Sequence, residues 1–161
     1  GWPLEGFVRL KCLRKRKFHE IMTSPNHDSS IGTSDRPKQN LFVVDDDPFV
    51  RTSLSRRLQR DGFIIHEFES GESVVGYLDN VSSLPDAIIL DYKMTGINGM
   101  ETSRLIRERF PCIPVIILTA YLGVIDIDEA KREEVFEVLT KNVELENLRL
   151  VIQHAVNRNH E

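Results

Sequence analysis

No apolar run in the 161 residues approaches the ~20 that a membrane span needs. The longest, at 87–90 and 115–118, have the length of strands. Cysteine is equally scarce. Cys12 and Cys112 stand 100 residues apart and make neither a disulfide framework nor a zinc site. With no secretory apolar core either, the chain reads as belonging to a reducing, cytoplasmic compartment. Length and composition lie near the globular average, which excludes a fibrous repeat and wholesale disorder and leaves room for one ordinary domain and a remainder.

A net charge of −4 hides an asymmetry. Residues 1–40 hold 8 Lys/Arg and 4 Asp/Glu, whereas residues 41–161 hold 13 and 21. An acidic body is a poor nucleic-acid surface, because phosphate binding needs neutralising cations. Residues 23–40 are rich in Ser, Asn, Asp, Pro and Gly, with Ile31 their one large aliphatic, too little to bury against the entropy of ordering. Residues 1–21 join Trp2, Leu4, Phe7, Val8 and Leu10 to a basic run at 11–17. They read as a basic arm for nucleic acid or anionic lipid, or as an upstream-frame remnant, since no initiator Met is present and Met22 would serve as a start. Residues 1–40 are thus expected to be a disordered or extraneous extension, and 41–161 the domain.

From Leu41 the pattern alternates strands and helices. Residues 41–44, 63–67, 87–90, 115–118 and 135–139 read as strands. Asp47-Pro48 caps and starts a first helix, with Phe49, Val50, Leu54 and Leu58 at helical spacing and Gly62 ending it. Ser70 caps a second that ends near Asn80. A third covers 100–109 with Leu105 and Ile106 inward, a weak one 127–134, and a last one 144–157. Five strand–helix units predict an open, doubly wound parallel sheet with helices on both faces. Its ligand site belongs at the carboxyl ends of the strands.

Those ends carry Asp45-Asp46-Asp47, Asp91, Thr119 and Lys141. Gathered carboxylates repel unless a cation joins them. Mg²⁺ suits oxygen ligands of this kind and accepts a phosphate oxygen besides. A hydroxyl and an ammonium beside it are parts for holding a phosphoryl group. Asp47 is better read as a helix cap than as a ligand. A dinucleotide-binding domain would want a glycine-rich turn after the first strand, where Asp45-Asp46-Asp47-Pro48 stands instead.

The segments LFVVDDDPFVR (41–51), PDAIILDYKMTGINGME (85–101), VIILTA (115–120) and VLTKN (138–142) resemble the CheY-like receiver domains of two-component response regulators. The resemblance covers residues 41–157, with spacings of 45, 28 and 22 residues between Asp46, Asp91, Thr119 and Lys141. It implies a five-stranded parallel sheet of order 2-1-3-4-5. Asp91 becomes the phosphoacceptor, attacking a phosphohistidine on a sensor histidine kinase or histidine phosphotransfer protein. Asp45 and Asp46 join Asp91 around Mg²⁺, with the backbone carbonyl of Lys93 completing the protein ligands. Thr119 bonds one phosphoryl oxygen and Lys141 another. The implied output is a repacked face for a downstream effector, with homodimerisation left open, by a domain that phosphorylates and dephosphorylates itself rather than turning over a substrate. No membrane contact and no direct nucleic-acid contact from 41–161 are expected. A receiver cut from a DNA-binding regulator stays open as the alternative. Arg51, Ser55 and Leu58 on the first helix are candidates for kinase recognition by position.

The chain departs from the family pattern at three positions. Asn142 replaces the usual proline after the lysine, so a cis Lys141–Asn142 bond is not expected. Thr95 stands where proline is common, and Val138 where a switching aromatic often sits. Tyr121, two residues after Thr119, is a candidate to take over part of that role.

Overall fold

Gly62 shows how the chain turns helix into strand. In the computed structural model, which describes residues 37–158, Gly62 has φ +94° and closes helix α1 (Pro48–Arg60). Its N–H donates to Gln59 O at 3.0 Å and that of Phe63 to Leu58 O at 3.2 Å, a Schellman-type stop. Phe63 therefore gives its amide to the helix, and strand β2 is Ile64–Phe68 instead of 63–67. The same device shifts the last strand. Glu134, at φ +54°, and Val135 close helix α4 (Ile127–Arg132) by donating to Lys131 O and Ala130 O, so β5 is Glu137–Thr140.

The remaining elements are β1 (Asn40–Val44), α2 (Gly71–Asn80), β3 (Ala87–Asp91), α3 (Gly99–Arg109), β4 (Val115–Thr119), a 3₁₀ turn (Leu122–Val124) and α5 (Leu145–Arg158). All strand pairs are parallel and the order is β2-β1-β3-β4-β5, as expected. β1 begins one residue before the apolar run, and the side-chain amides of Gln39 and Gln153 pair just outside it.

Strands β1, β3 and β4 are buried on both sides, so successive residues feed opposite cores. Phe42, Val44, Ile88, Leu90 and Ile117 meet Val74, Leu78, Met100 and Ile106 beneath α2 and α3. Leu41, Val43, Ile89, Ile116 and Leu118 meet Leu58, Leu148, Ile152 and Val156 beneath α1 and α5. Short α4 is tied to α3 through Arg104, 3.4 Å from Glu129 and 3.3 Å from Glu133, and Arg107, 3.0 Å from Glu133.

Two expectations change. Phe49 is 82 % exposed, because the first turn of α1 stands beyond the strand ends. Ser55 and Leu58 are buried at 2 % and 0 % and cannot meet a kinase; Phe49, Ser53, Arg56 and Arg57 form the exposed side of α1. Cys112 is half-buried against the core beneath α2 and α3, and Cys12 lies outside the described residues. So do most of the basic and polar stretches read at 1–40. Among the described residues no helix is long and apolar enough to cross a membrane.

Gly99 fixes the approach of α3 to the strand that ends in Asp91. A Cβ there would lie 2.5 Å from the Asp91 carbonyl oxygen and 2.9 Å from Tyr92 Cα. Backbone on the far side cannot swing away as a side chain would. Gly99→Ala is expected to cost about 1–3 kcal/mol through forced displacement, read as a lower urea midpoint. An unchanged midpoint would show that the loop gives way freely.

Candidate functional site

Each strand end is aimed by its neighbour. The Asp45 N–H donates to Phe68 O at 3.1 Å, extending the β1–β2 ladder past Val44. Oδ1 of Asp45 accepts the Asp47 N–H at 2.9 Å, while Asp47 itself caps α1 by accepting from Phe49 and Val50, as its sequence position suggested. The side chain of Asp45 is thereby turned across the sheet toward β3, where Asp91 ends the central strand. Both carboxylates are buried.

Lys141 spans them. Its Nζ lies 2.9 Å from Asp45 Oδ2 and 3.1 Å from Asp91 Oδ1. Its backbone N–H donates to Thr119 O at 2.7 Å, which brings the last strand's end beside that of β4. No peptide bond is cis among the described residues. In place of proline, the turn after β5 is closed by Val143 N–H on Thr140 O at 3.1 Å and by the Thr140 hydroxyl on Asn142 Oδ1.

Asp46 faces solvent, and one of its oxygens accepts from both the N–H and the hydroxyl of Thr95, at 2.9 and 3.2 Å. Thr119 is buried, with its hydroxyl donating to Tyr121 O at 3.2 Å and accepting from Tyr121 N–H at 3.3 Å. Lys93, two residues past Asp91, is exposed in the β3–α3 loop.

Burial dominates the electrostatics of Asp91. Together with the Asp45 charge it pushes the carboxyl up to about 6 from an ordinary 3.8, although Lys141 pulls the other way. Burial opposes the charge on Lys141, yet the bonds and charges of Asp45 and Asp91 outweigh it and raise its pKa. Asp45, Asp46 and Asp91 each bring a carboxylate oxygen to within 4.8 Å of the others. An all-oxygen, two-thirds-buried set of that kind fits a hard divalent cation better than three mutually repelling anions.

Sequence profiles point the same way. The family described as "Response regulator receiver domain" matches residues 41–153. The chain belongs to that family. Among relatives, the DNA-binding transcriptional regulator NtrC of Proteus hauseri is 31% identical over 119 residues, which is 74% of this chain and 25% of that protein. The transcriptional regulatory protein GlrR of Escherichia coli K12 is 34% identical over 117 residues, 73% of this chain and 26% of its own. The receiver thus spans about a quarter of the length of the curated relatives it matches. A response regulator receiver domain from Clostridium thermocellum superposes with TM-score 0.68 at 30% identity, covering 74% of this chain and 95% of that one. A CheY-like receiver domain protein from Methanospirillum hungatei gives TM-score 0.70 at 16% identity, over 76% and 97%, which speaks for the fold.

Two contacts of this receiver site escaped the sequence reading. Arg51, named there only as a surface candidate, donates through its guanidinium to the Asp45 carbonyl at 2.7 Å and lies 3.5 Å from Glu67. It holds the backbone of the acidic pair from the α1 side. Thr95 was noted only as a missing proline, and the signal overlooked is that a threonine has two donors where proline has none. The remaining departure, Val138, packs against the α2–α3 core. Tyr121 is 68 % exposed, its ring lying over Gly123.

Proposed function

We propose that this receiver accepts a phosphoryl group on Asp91 from the phosphohistidine of a sensor histidine kinase or histidine phosphotransfer protein, with Asp45, Asp46, Asp91 and the Lys93 backbone carbonyl holding Mg²⁺. The observation that carries the reading is Lys141 bridging the buried carboxylates of Asp45 and Asp91. A carboxylate near pKa 6 is still largely ionised at neutral pH, so it can attack. An Asp91 oxygen forms the new P–O bond as the P–N bond to the partner's imidazole breaks, and the imidazole keeps the electron pair. When bound, Mg²⁺ supplies a Lewis acid that draws charge from the phosphoryl oxygens. Lys141 leaves its bridge to neutralise one such oxygen, and the Thr119 hydroxyl leaves Tyr121 to donate to another.

Those two movements begin on β4 and β5, so the face around α4 and β5 repacks and presents a changed surface to a downstream effector or a second copy. The domain is self-phosphorylating and self-dephosphorylating rather than a turnover enzyme, and it works in the cytoplasm. A second reading, favoured by the NtrC and GlrR similarity and the quarter-length match, is that the same receiver controls a DNA-binding regulator. Phosphotransfer onto Asp91 is common to both.

Incubation with acetyl phosphate and Mg²⁺ is expected to add one phosphoryl mass to the parent chain and none to Asp91→Asn, followed by intact-mass spectrometry. An increment that persists in the variant, or never appears in the parent, refutes the assignment.

A further inference from the structure

The loop between β3 and α3 is fastened at several points apart from its contact with Asp46. Met94 is buried in the core beneath α2 and α3. Gly96, at φ +84°, turns the chain over the Glu72 carboxylate, which lies 2.5 Å from where a Cβ would be. Ile97 N–H donates to Glu72 Oε1 at 3.0 Å, and Gly99 N–H to Tyr92 O at 2.7 Å. Between these anchors sits Thr95, whose amide and hydroxyl both donate to Oδ2 of Asp46. Asp46, by contrast, is exposed and lies beyond the end of β1. A fastened loop thus grips an otherwise free side chain.

We propose that Thr95 is a positioning residue for the metal site, holding Asp46 by Oδ2 and leaving its second oxygen for the cation. The inference rests on the reading of Asp45, Asp46 and Asp91 as the metal ligands. A carboxylate free to rotate must be ordered when the cation arrives, and it is repelled by Asp45 and Asp91 until then. Two donors on one oxygen remove that ordering cost. Groups that orient a ligand in this way typically change metal affinity 10- to 100-fold when removed. Proline at this position can supply neither donor. The threonine therefore gives this chain a hold on its acidic pair that a proline-bearing loop lacks.

The test is titration of the full chain with Mg²⁺ alone, followed by backbone amide shifts, for the parent and Thr95→Pro, Thr95→Val and Thr95→Ser. Thr95→Pro is expected to bind about 10-fold more weakly or worse. Thr95→Val, which keeps the amide, should fall between, and Thr95→Ser should match the parent. The metal-free melting temperatures of Thr95→Val and Thr95→Ser should stay together, which a merely structural role would not produce alongside split affinities. Equal or tighter binding by Thr95→Pro overturns the proposal, because the hydrogen bonds would then compete with the cation. If Thr95→Pro fails to fold, parent-like affinity in Thr95→Val overturns it. Absence of any Mg²⁺ response in the parent chain refutes instead the ligand assignment on which the proposal stands.

Discussion

Asp91→Asn is expected to melt at a higher temperature than the parent chain at pH 7.5 in the absence of divalent cations. The carboxyl of Asp91 is pushed up to about 6 by burial and by Asp45, so its ionised form is disfavoured in the folded state. The sign follows directly. Its contribution to stability is intact below about pH 4 and is lost as pH rises through about 6. Above that range the parent carries a penalty of roughly 1–3 kcal/mol that an amide of the same shape does not. For a domain of this size the gain corresponds to roughly 4–12 °C. Thermal melts in chelator at pH 4.5 and 7.5 check it. The gap should be wide at the higher pH, narrow at the lower, and shrink when Mg²⁺ stabilises the parent by mass action. A variant that melts lower than the parent at pH 7.5 would sink the account of a strained carboxylate pair.

Lys141→Met should act with the opposite sign. The ammonium is bonded to both buried carboxylates, and methionine keeps the stem while removing the charge. Stranding two anions in a partly buried site is expected to cost roughly 1–4 kcal/mol at pH 7.5, and less below pH 6, where Asp91 takes up a proton. Because the Lys141 pKa is raised, the parent keeps this contribution below its ordinary 10.5 and loses it only as alkali reaches the raised value. Removing Asp91 first removes half the problem. Lys141→Met in the Asp91→Asn background should therefore cost clearly less than in the parent, with a coupling of about 0.5–3 kcal/mol in the double-mutant cycle. Additive effects within about 0.5 kcal/mol would mean that the two side chains do not share the site energetically.

Much of this architecture could be read from the chain because parallel strands buried on both faces announce themselves as unbroken apolar runs, and helix starts by their caps. Ser70 and Asp47 sit at the positions assigned to them. The ends of β2 and β5 were misplaced for one physical reason. Phe63 and Val135 look like strand residues, but their amides are claimed by the carbonyls of the preceding helices. Glu134 disguised the second of these stops, since nothing in a glutamate advertises φ +54°. Phe49 misled in another way, because helical periodicity cannot tell where a helix outruns the sheet it packs on. At the site, the acidic residues, Thr119 and Lys141 were legible as a series at successive strand ends. Thr95 and Arg51 were not, since their roles depend on which backbone group or carboxylate oxygen a donor happens to face.

The bond from Lys141 to Asp45 joins residues 96 positions apart, and the two lie just past the ends of β5 and β1, with β3 and β4 between those strands in the sheet. No local segment can rehearse it. Closing so long a loop has an entropic cost that is repaid only when the intervening strands are in register. The Lys141–Asp45 bridge therefore forms late in folding, once β3 and β4 stand in register between the two strand ends.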